Sequence, residues 1–200
     1  MTNLELRIMT FEEIKSKLKD LTVGIAGAGG LGSNCAVALA RVGVGKIIIS
    51  DFDIVYESNL NRQYFFKDQI GLRKVDALKE NIKRINPDVE IVDNYIKLDE
   101  NNIIEIYKDC DVIVEAFDLA EMKKMLIETC LTELPDKPVV VGIGMAGFGE
   151  SNSISFRQSE NLYICGDEKS EVSDENPPLA PRVGIVANMQ ANAVLEILLS

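Results

Sequence analysis

The sequence predicts an α/β protein built on a doubly wound, mostly parallel sheet with helices on both faces. Short apolar runs of strand length alternate with helical stretches along most of the chain, as successive βαβ units require. The first of these runs opens directly onto the glycine-dense turn GAGGLG at residues 27–32, and a small-residue helical stretch follows, so strand, tight turn and crossover helix stand in order. With 200 residues, a chain buries roughly 70% of its unfolded surface around one core, and a single domain over 1–200 is expected.

Taken in order, residues 1–20 form an N-terminal helical segment outside the sheet, because Phe11, Ile14 and Leu18 recur three and four apart. Residues 22–26 (TVGIA) are the first strand and 33–42 (SNCAVALARV) the crossover helix, rich in good helix formers. A second strand, 46–50 (KIIIS), ends at Asp51, and after a long polar loop a helix runs over 72–85 until Asn86-Pro87 stops it. Further strands are expected at 89–92, 111–115 and 139–141, with helices near 102–107 and 120–131. Beyond Gly142 the texture turns glycine-dense, with short strands at 153–156 and 162–164 and a polar, proline-containing stretch over 166–181. A helix over 183–199 closes the chain. Loops longer than about 12 residues in a compact domain are usually functional or disordered, which singles out 53–71 and 166–181.

Composition removes several chemistries. There is no histidine, so imidazole-based triads and the commonest zinc ligand are excluded. Cys35, Cys110, Cys130 and Cys165 include no C-x-x-C pair, which fits reduced thiols rather than a zinc knuckle or a redox motif. Subtracting 32 acidic from 21 basic residues leaves a net charge of −11, unfavourable for nucleic acid or an anionic membrane surface. No apolar run reaches the roughly 18 residues of a span, and Glu5, Glu12 and Glu13 do not suit a signal peptide, so a cytoplasmic protein is expected.

The pattern Gly27-x-Gly29-x-x-Gly32 at a strand–helix junction points to phosphate held by backbone N–H groups at a helix N-terminus, the alternative being a turn used only for tight packing. Asp51, nineteen residues after Gly32, stands where a carboxylate reaches ribose hydroxyls, or is a solvated strand-end group. The following loop adds Asn59, Arg62 and Gln63, and Lys74 opens the next helix. A cation in a first helical turn opposes the macrodipole, so Lys74 is either solvated or faces an anion. Together with the planar fork of Arg62 it suits a polyphosphate clamp. Asp118 lies just past the strand VIVE, and either holds Mg²⁺ through water and phosphates or caps the helix from Ala120.

GAGGLGS, DFD at 51–53, SNLNRQ at 58–63, Gly71-x-x-Lys74, Asp118 and the closing APRVGIVANMQANAVLEIL, in that order and spacing, resemble the ThiF/MoeB/HesA family of ubiquitin-like-protein activating enzymes, in particular its short ThiF-like branch associated with thiamine biosynthesis. The resemblance implies a Rossmann-like fold with a C-terminal crossover loop over 166–181, and adenylylation of the C-terminal glycine of a β-grasp sulfur carrier, ThiS or MoaD, by ATP and Mg²⁺ with release of pyrophosphate. By position, Gly27, Gly29 and Gly32 would cradle the nucleotide, Asp51 would hold its ribose, Asn59, Arg62 and Lys74 would contact phosphates, and Asp118 would bind magnesium. Gly30, Asp53 and Gln63 complete the implied ATP-binding set. Arg62, Lys74 and Asp118 would be catalytic, joined by Arg7 if, as the resemblance implies, the protein is a homodimer whose N-terminal arginine reaches the neighbouring site. Relatives carry paired zinc cysteines near this loop, whereas only Cys165 stands here; it is either a nucleophile for sulfur transfer or an ordinary residue near a strand end, and Ser173 occupies the neighbourhood of the loop cysteine of ThiF-like enzymes. The competing enzyme reading is a nicotinamide-dependent oxidoreductase, which uses the glycine turn and Asp51 but leaves Arg62 and Lys74 without a task. A non-catalytic nucleotide-binding scaffold is the third.

Overall fold

The computed structural model describes residues 8–200, so Arg7 lies outside the described residues. Helix α1 (Phe11–Leu18) begins with a reciprocal cap in which Thr10 Oγ1 accepts from the Glu13 N–H at 3.3 Å and the Thr10 N–H donates to Glu13 Oε2 at 2.7 Å. It lies outside the sheet. The chain then alternates: β1 (Thr22–Ala26), α2 (Gly30–Val42), β2 (Lys46–Asp51), α3 (Lys74–Ile85), β3 (Glu90–Tyr95), α4 (Glu100–Tyr107), β4 (Val112–Glu115), α5 (Ala120–Glu133) and β5 (Val139–Gly142). A hairpin of β6 (Ser155–Ser159) and β7 (Leu162–Gly166) precedes the final helix α6 (Ala180–Leu198).

The seven strands run in the order β3-β2-β1-β4-β5-β7-β6, all pairs parallel except β6 against β7. The order reverses between β1 and β4, which makes the crevice beyond their carboxyl ends the natural ligand site of such a sheet. Register lines up these ends, since Ala26 pairs with both Ser50 and Glu115, and Glu115 with Val141. Strands β4 and β5 are buried at every position, as expected of parallel strands covered on both faces. Val23, Ile25, Ile47 and Ile49 pack with α2, α3 and α6, while Ile113, Val139 and Val141 pack with Tyr107 and Leu126 of α4 and α5.

Several boundaries differ from the expectation. Helix α2 starts at Gly30 rather than Ser33, and α3 at Lys74 rather than Leu72. The closing helix starts at Ala180 with Pro181 in its first turn, a position that tolerates proline because that N–H has no intrahelical partner. The stretch expected to be loop until 181 therefore ends two residues earlier, at Leu179. Ser153, expected to open the strand 153–156, instead ends a single 3₁₀ turn over Ser151–Ser153, and the strand starts at Ser155.

Candidate functional site

The turn between β1 and α2 is closed on itself. Gly27 has φ +105°, and a Cβ at Gly32 would lie 1.9 Å from the Gly27 carbonyl oxygen, so both positions require glycine. The residue preceding the helix, Gly29, brings no side chain to the first-turn N–H groups, leaving them for an external acceptor. Asp51 is not a solvated strand-end carboxylate: Oδ2 accepts from the Ala28 N–H and Oδ1 from the Asp53 N–H, each at 2.7 Å. It ties the glycine turn to the end of β2.

The loop after β2 is laid against this turn by α2. Asn34 Nδ2 donates to the Gly30 carbonyl at 2.7 Å and the Arg62 carbonyl at 2.9 Å, and Ser33 Oγ accepts from the Tyr64 N–H at 3.0 Å. Arg62 thus runs over Gly30, its Cγ 3.5 Å from where a Cβ would stand. Its Nη1 donates to the Ser58 carbonyl and Asn61 Oδ1. Gln63 is buried beside Gly29, with Oε1 accepting no hydrogen bond among the described residues. Asn59 shapes the loop, its carbonyl accepting from the Arg62 and Gln63 N–H groups and its Oδ1 from the Tyr56 N–H.

Lys74 is buried and faces an anion supplied by the protein itself, its Nζ 2.8 Å from Asp53 Oδ2. That ion pair makes Asp53 the partner of Lys74. Asp118 is exposed and makes no hydrogen bond or ion pair with the described residues. It does not cap α5, because Leu119 holds the N-cap position and no side chain bonds there. Ala116, two residues before it, touches the glycine turn: a Cβ at Gly27 would lie 2.8 Å from the Ala116 carbonyl oxygen. The structure therefore joins the glycine turn, Asp51, Arg62, Gln63 and the chain leading to Asp118 by direct contacts.

Two ion pairs with buried carboxylates near this sheet edge have no counterpart in the sequence reading. Glu115, fully buried at the end of β4, accepts from the Phe117 N–H at 2.7 Å and from Lys123 Nζ at 3.1 and 2.9 Å, while Lys123 also donates to the Gly142 carbonyl at 2.9 Å. Burial pushes the Glu115 carboxyl up, and Lys123 pulls it back. The second pair is Arg182 with Asp167, both buried. A cation in the first turn of α6 opposes the helix dipole just as Lys74 does in α3, so the same reasoning applied to Arg182 would have found it. Burial raises the Asp167 carboxyl, but hydrogen bonds from the Ser170 and Lys169 N–H groups and from Arg182 outweigh it and hold it at about 2. Because this lies below the ordinary value, Asp167 adds stability that is fully present above about pH 4 and lost as the pH falls through about 2. The stability difference between wild type and Asp167→Asn, followed by urea unfolding across that range, is expected to shrink as the pH falls. A difference that does not vary with pH would contradict the assignment.

The cysteines are packing residues. Cys165 is fully buried, and burial pushes its thiol up to about 12; Cys35 is likewise buried and raised. A thiol so held is neither ionised nor reachable, which removes Cys165 as a nucleophile in this state. Native protein near neutral pH is expected to resist iodoacetamide at all four cysteines and to take up label at each once unfolded, as peptide mass mapping would read. Rapid native labelling of Cys165 would reopen its role.

The ThiF family model matches residues 2–200 of the chain. Over 190 residues the chain is 32% identical to adenylyltransferase and sulfurtransferase MOCS3 of Caenorhabditis briggsae, covering 92% of this chain and 47% of that protein. Over 191 residues it is 29% identical to molybdopterin-synthase adenylyltransferase of Salmonella typhimurium, covering 93% of this chain and 76% of that one. It thus spans about half the length of the first relative and three quarters of the second. Among solved structures, Escherichia coli tRNA N6-threonylcarbamoyladenosine dehydratase in complex with ATP superposes with a TM-score of 0.84 at 21% identity, over 94% of this chain and 89% of that one. At that identity the likeness is one of fold.

Proposed function

The chain belongs to the ThiF family, and from that membership we propose that it adenylylates the C-terminal glycine carboxylate of a ubiquitin-like sulfur carrier protein with ATP. The observation that carries the reading is the self-closed glycine turn, whose uncapped first-turn N–H groups lie beside Arg62 at the switch point of the sheet. Such a turn suits phosphates. Gly27, Gly29, Gly30 and Gly32 would take the nucleotide, with Asp51 presenting its remaining lone pairs to the ribose and Asn59, Arg62, Gln63 and Lys74 completing the phosphate side.

The chemistry needs no general base. A C-terminal carboxylate is ionised at neutral pH, so its oxygen can attack the α-phosphorus directly as the bond to the bridging oxygen of pyrophosphate breaks. What the protein must supply is in-line positioning and fixed positive charge where negative charge builds. Arg62 supplies a guanidinium that no carboxylate among the described residues neutralises, and Lys74 supplies an ammonium that Asp53 holds in place. The histidine-free composition is compatible with this division of labour. Asp118, exposed and without a partner among the described residues, fits a magnesium ion held through water and phosphates, where the ion would offset phosphate charge.

ThiS is the carrier read from the short ThiF-like resemblance. A MoaD-type carrier is the second reading, supported by the names of the relatives from Salmonella typhimurium and Escherichia coli, both molybdopterin-synthase adenylyltransferases. A homodimer with Arg7 reaching the neighbouring site belongs to the same proposal. Mg²⁺-dependent exchange of pyrophosphate into ATP, run with a ThiS-type carrier, a MoaD-type carrier and each carrier lacking its Gly-Gly tail, tests the function. Exchange only with an intact tail is expected. The absence of exchange with every carrier, accompanied by binding of a nicotinamide dinucleotide, would favour the oxidoreductase instead. No helix among the described residues is long and apolar enough to cross a membrane.

A further inference from the structure

Phe148 is the most exposed aromatic side chain of the described residues, at 85%, yet the segment carrying it is held firmly. Gly147 and Gly149 have φ +75° and +72°, and Glu150 follows at +45°, a region that non-glycine residues rarely enter. Strain of this kind persists only where surrounding contacts impose it. The 5%-exposed Arg182 side chain imposes it here, donating from Nη1 to the Gly149 carbonyl at 2.6 Å and the Glu150 carbonyl at 3.3 Å, and from Nη2 to Ser153 Oγ at 3.1 Å and to Asp167. From the other side, the Gly147 N–H donates to the Pro177 carbonyl at 2.9 Å, and a Cβ at Gly147 would lie 2.3 Å from Asn176 Oδ1.

One buried arginine therefore fixes an aromatic tip against the 167–179 loop, on the segment that leaves the carboxyl end of β5. That loop bears a second exposed apolar side chain, Val172 at 61%, among exposed Glu171, Asp174 and Glu175, with exposed Glu150 next to the tip and exposed Lys169 the loop's single cation. Two copies of so acidic a face repel each other, whereas a partner with basic residues around an apolar spot complements it.

We propose that Phe148, with Val172 on the adjoining loop, is the docking point for the folded body of the acceptor protein, and that the surrounding carboxylates select an acceptor whose surface near its C-terminal tail is basic around an apolar patch. The proposal rests on the carrier-adenylylation reading. A rigid exposed aromatic loses little conformational freedom on contact, which is how a few residues come to dominate an interface.

The test compares two acceptors in pyrophosphate exchange: the intact Gly-Gly carrier that supports exchange by the wild type, and a synthetic peptide of that carrier's last residues. Phe148→Ser is expected to raise KM for the intact carrier at least about tenfold and to leave exchange with the peptide unchanged, because the peptide has no body to dock. Glu171→Lys combined with Glu175→Lys is expected to raise KM for the carrier and flatten its dependence on salt. An unchanged KM for the intact carrier in Phe148→Ser would overturn the proposal, as would dissociation of a dimer by that variant in sedimentation with KM unchanged. Failure of the wild type with both carrier and peptide would instead overturn the function on which the proposal rests.

Discussion

Arg62→Ala is expected to slow pyrophosphate exchange by about 2–4 kcal/mol of transition-state stabilisation, the loss typical of one oxyanion donor, or roughly 30- to 1000-fold. Lys74 is paired with Asp53, Lys123 with Glu115 and Arg182 with Asp167, so each carries a charge that the protein itself balances. Arg62 bonds only to the neutral Ser58 carbonyl and Asn61 Oδ1, and among the described residues it pairs with no carboxylate. In the proposed reaction, that positive charge beside the N-terminus of α2 would meet the polyphosphate. The fold is spared by the substitution because Asn34 anchors the Arg62 backbone carbonyl rather than its side chain. Arg62→Lys should recover little, since a point charge does not reproduce the planar fork. Near-wild-type exchange by Arg62→Ala would remove Arg62 from the phosphate site.

Lys123→Met is expected to destabilise the protein by about 3 kcal/mol, at the lower end for breaking a buried ion pair. Glu115 has no exposed surface, and Lys123 ties its carboxylate to the Gly142 carbonyl across the ends of β4 and β5. Losing the ammonium leaves only backbone N–H donors, those of Phe117 and Gly142, for a carboxyl that burial already pushes up. Proton uptake by Glu115 then limits the cost. Combining Lys123→Met with Glu115→Gln should cost less than the sum of the two single changes, because the second removes the charge that the first exposes. Urea unfolding of the four proteins measures the difference. A loss below about 1 kcal/mol for Lys123→Met would show that the pair is not a structural bridge.

The parallel strands were legible because burial on both faces leaves apolar runs such as VVV at 139–141 and III at 47–49 with little ambiguity. The start of α2 was not, because Gly30 and Gly32 have poor helix propensity and are helical here for reasons of close packing against Val183 and the Gly27 carbonyl. The 3₁₀ turn at Ser151–Ser153 has no periodic signature, and its geometry follows from Arg182, about thirty residues away in sequence. At the candidate site, the glycine turn and Asp51 could be read from spacing, whereas the partner of Lys74 could not. Asp53 stands 21 residues earlier, and only the folded loop brings the two together. Glu115 and Lys123 were hidden for a related reason: a carboxylate ending an apolar strand reads as its solvated terminus until the next helix is seen to cover it.

In the proposed function, the glycine turn and Arg62 serve transfer of an adenylyl group to a carrier's terminal carboxylate. Its most direct test is the intact mass of a Gly-Gly carrier incubated with the protein, ATP and Mg²⁺, with pyrophosphatase present to draw the reaction forward. The expected product is a carrier heavier by one adenylyl group, carried on the C-terminal glycine and missing when Arg62→Ala replaces the wild type. An unmodified carrier, in the presence of wild-type protein shown to bind ATP, would contradict it.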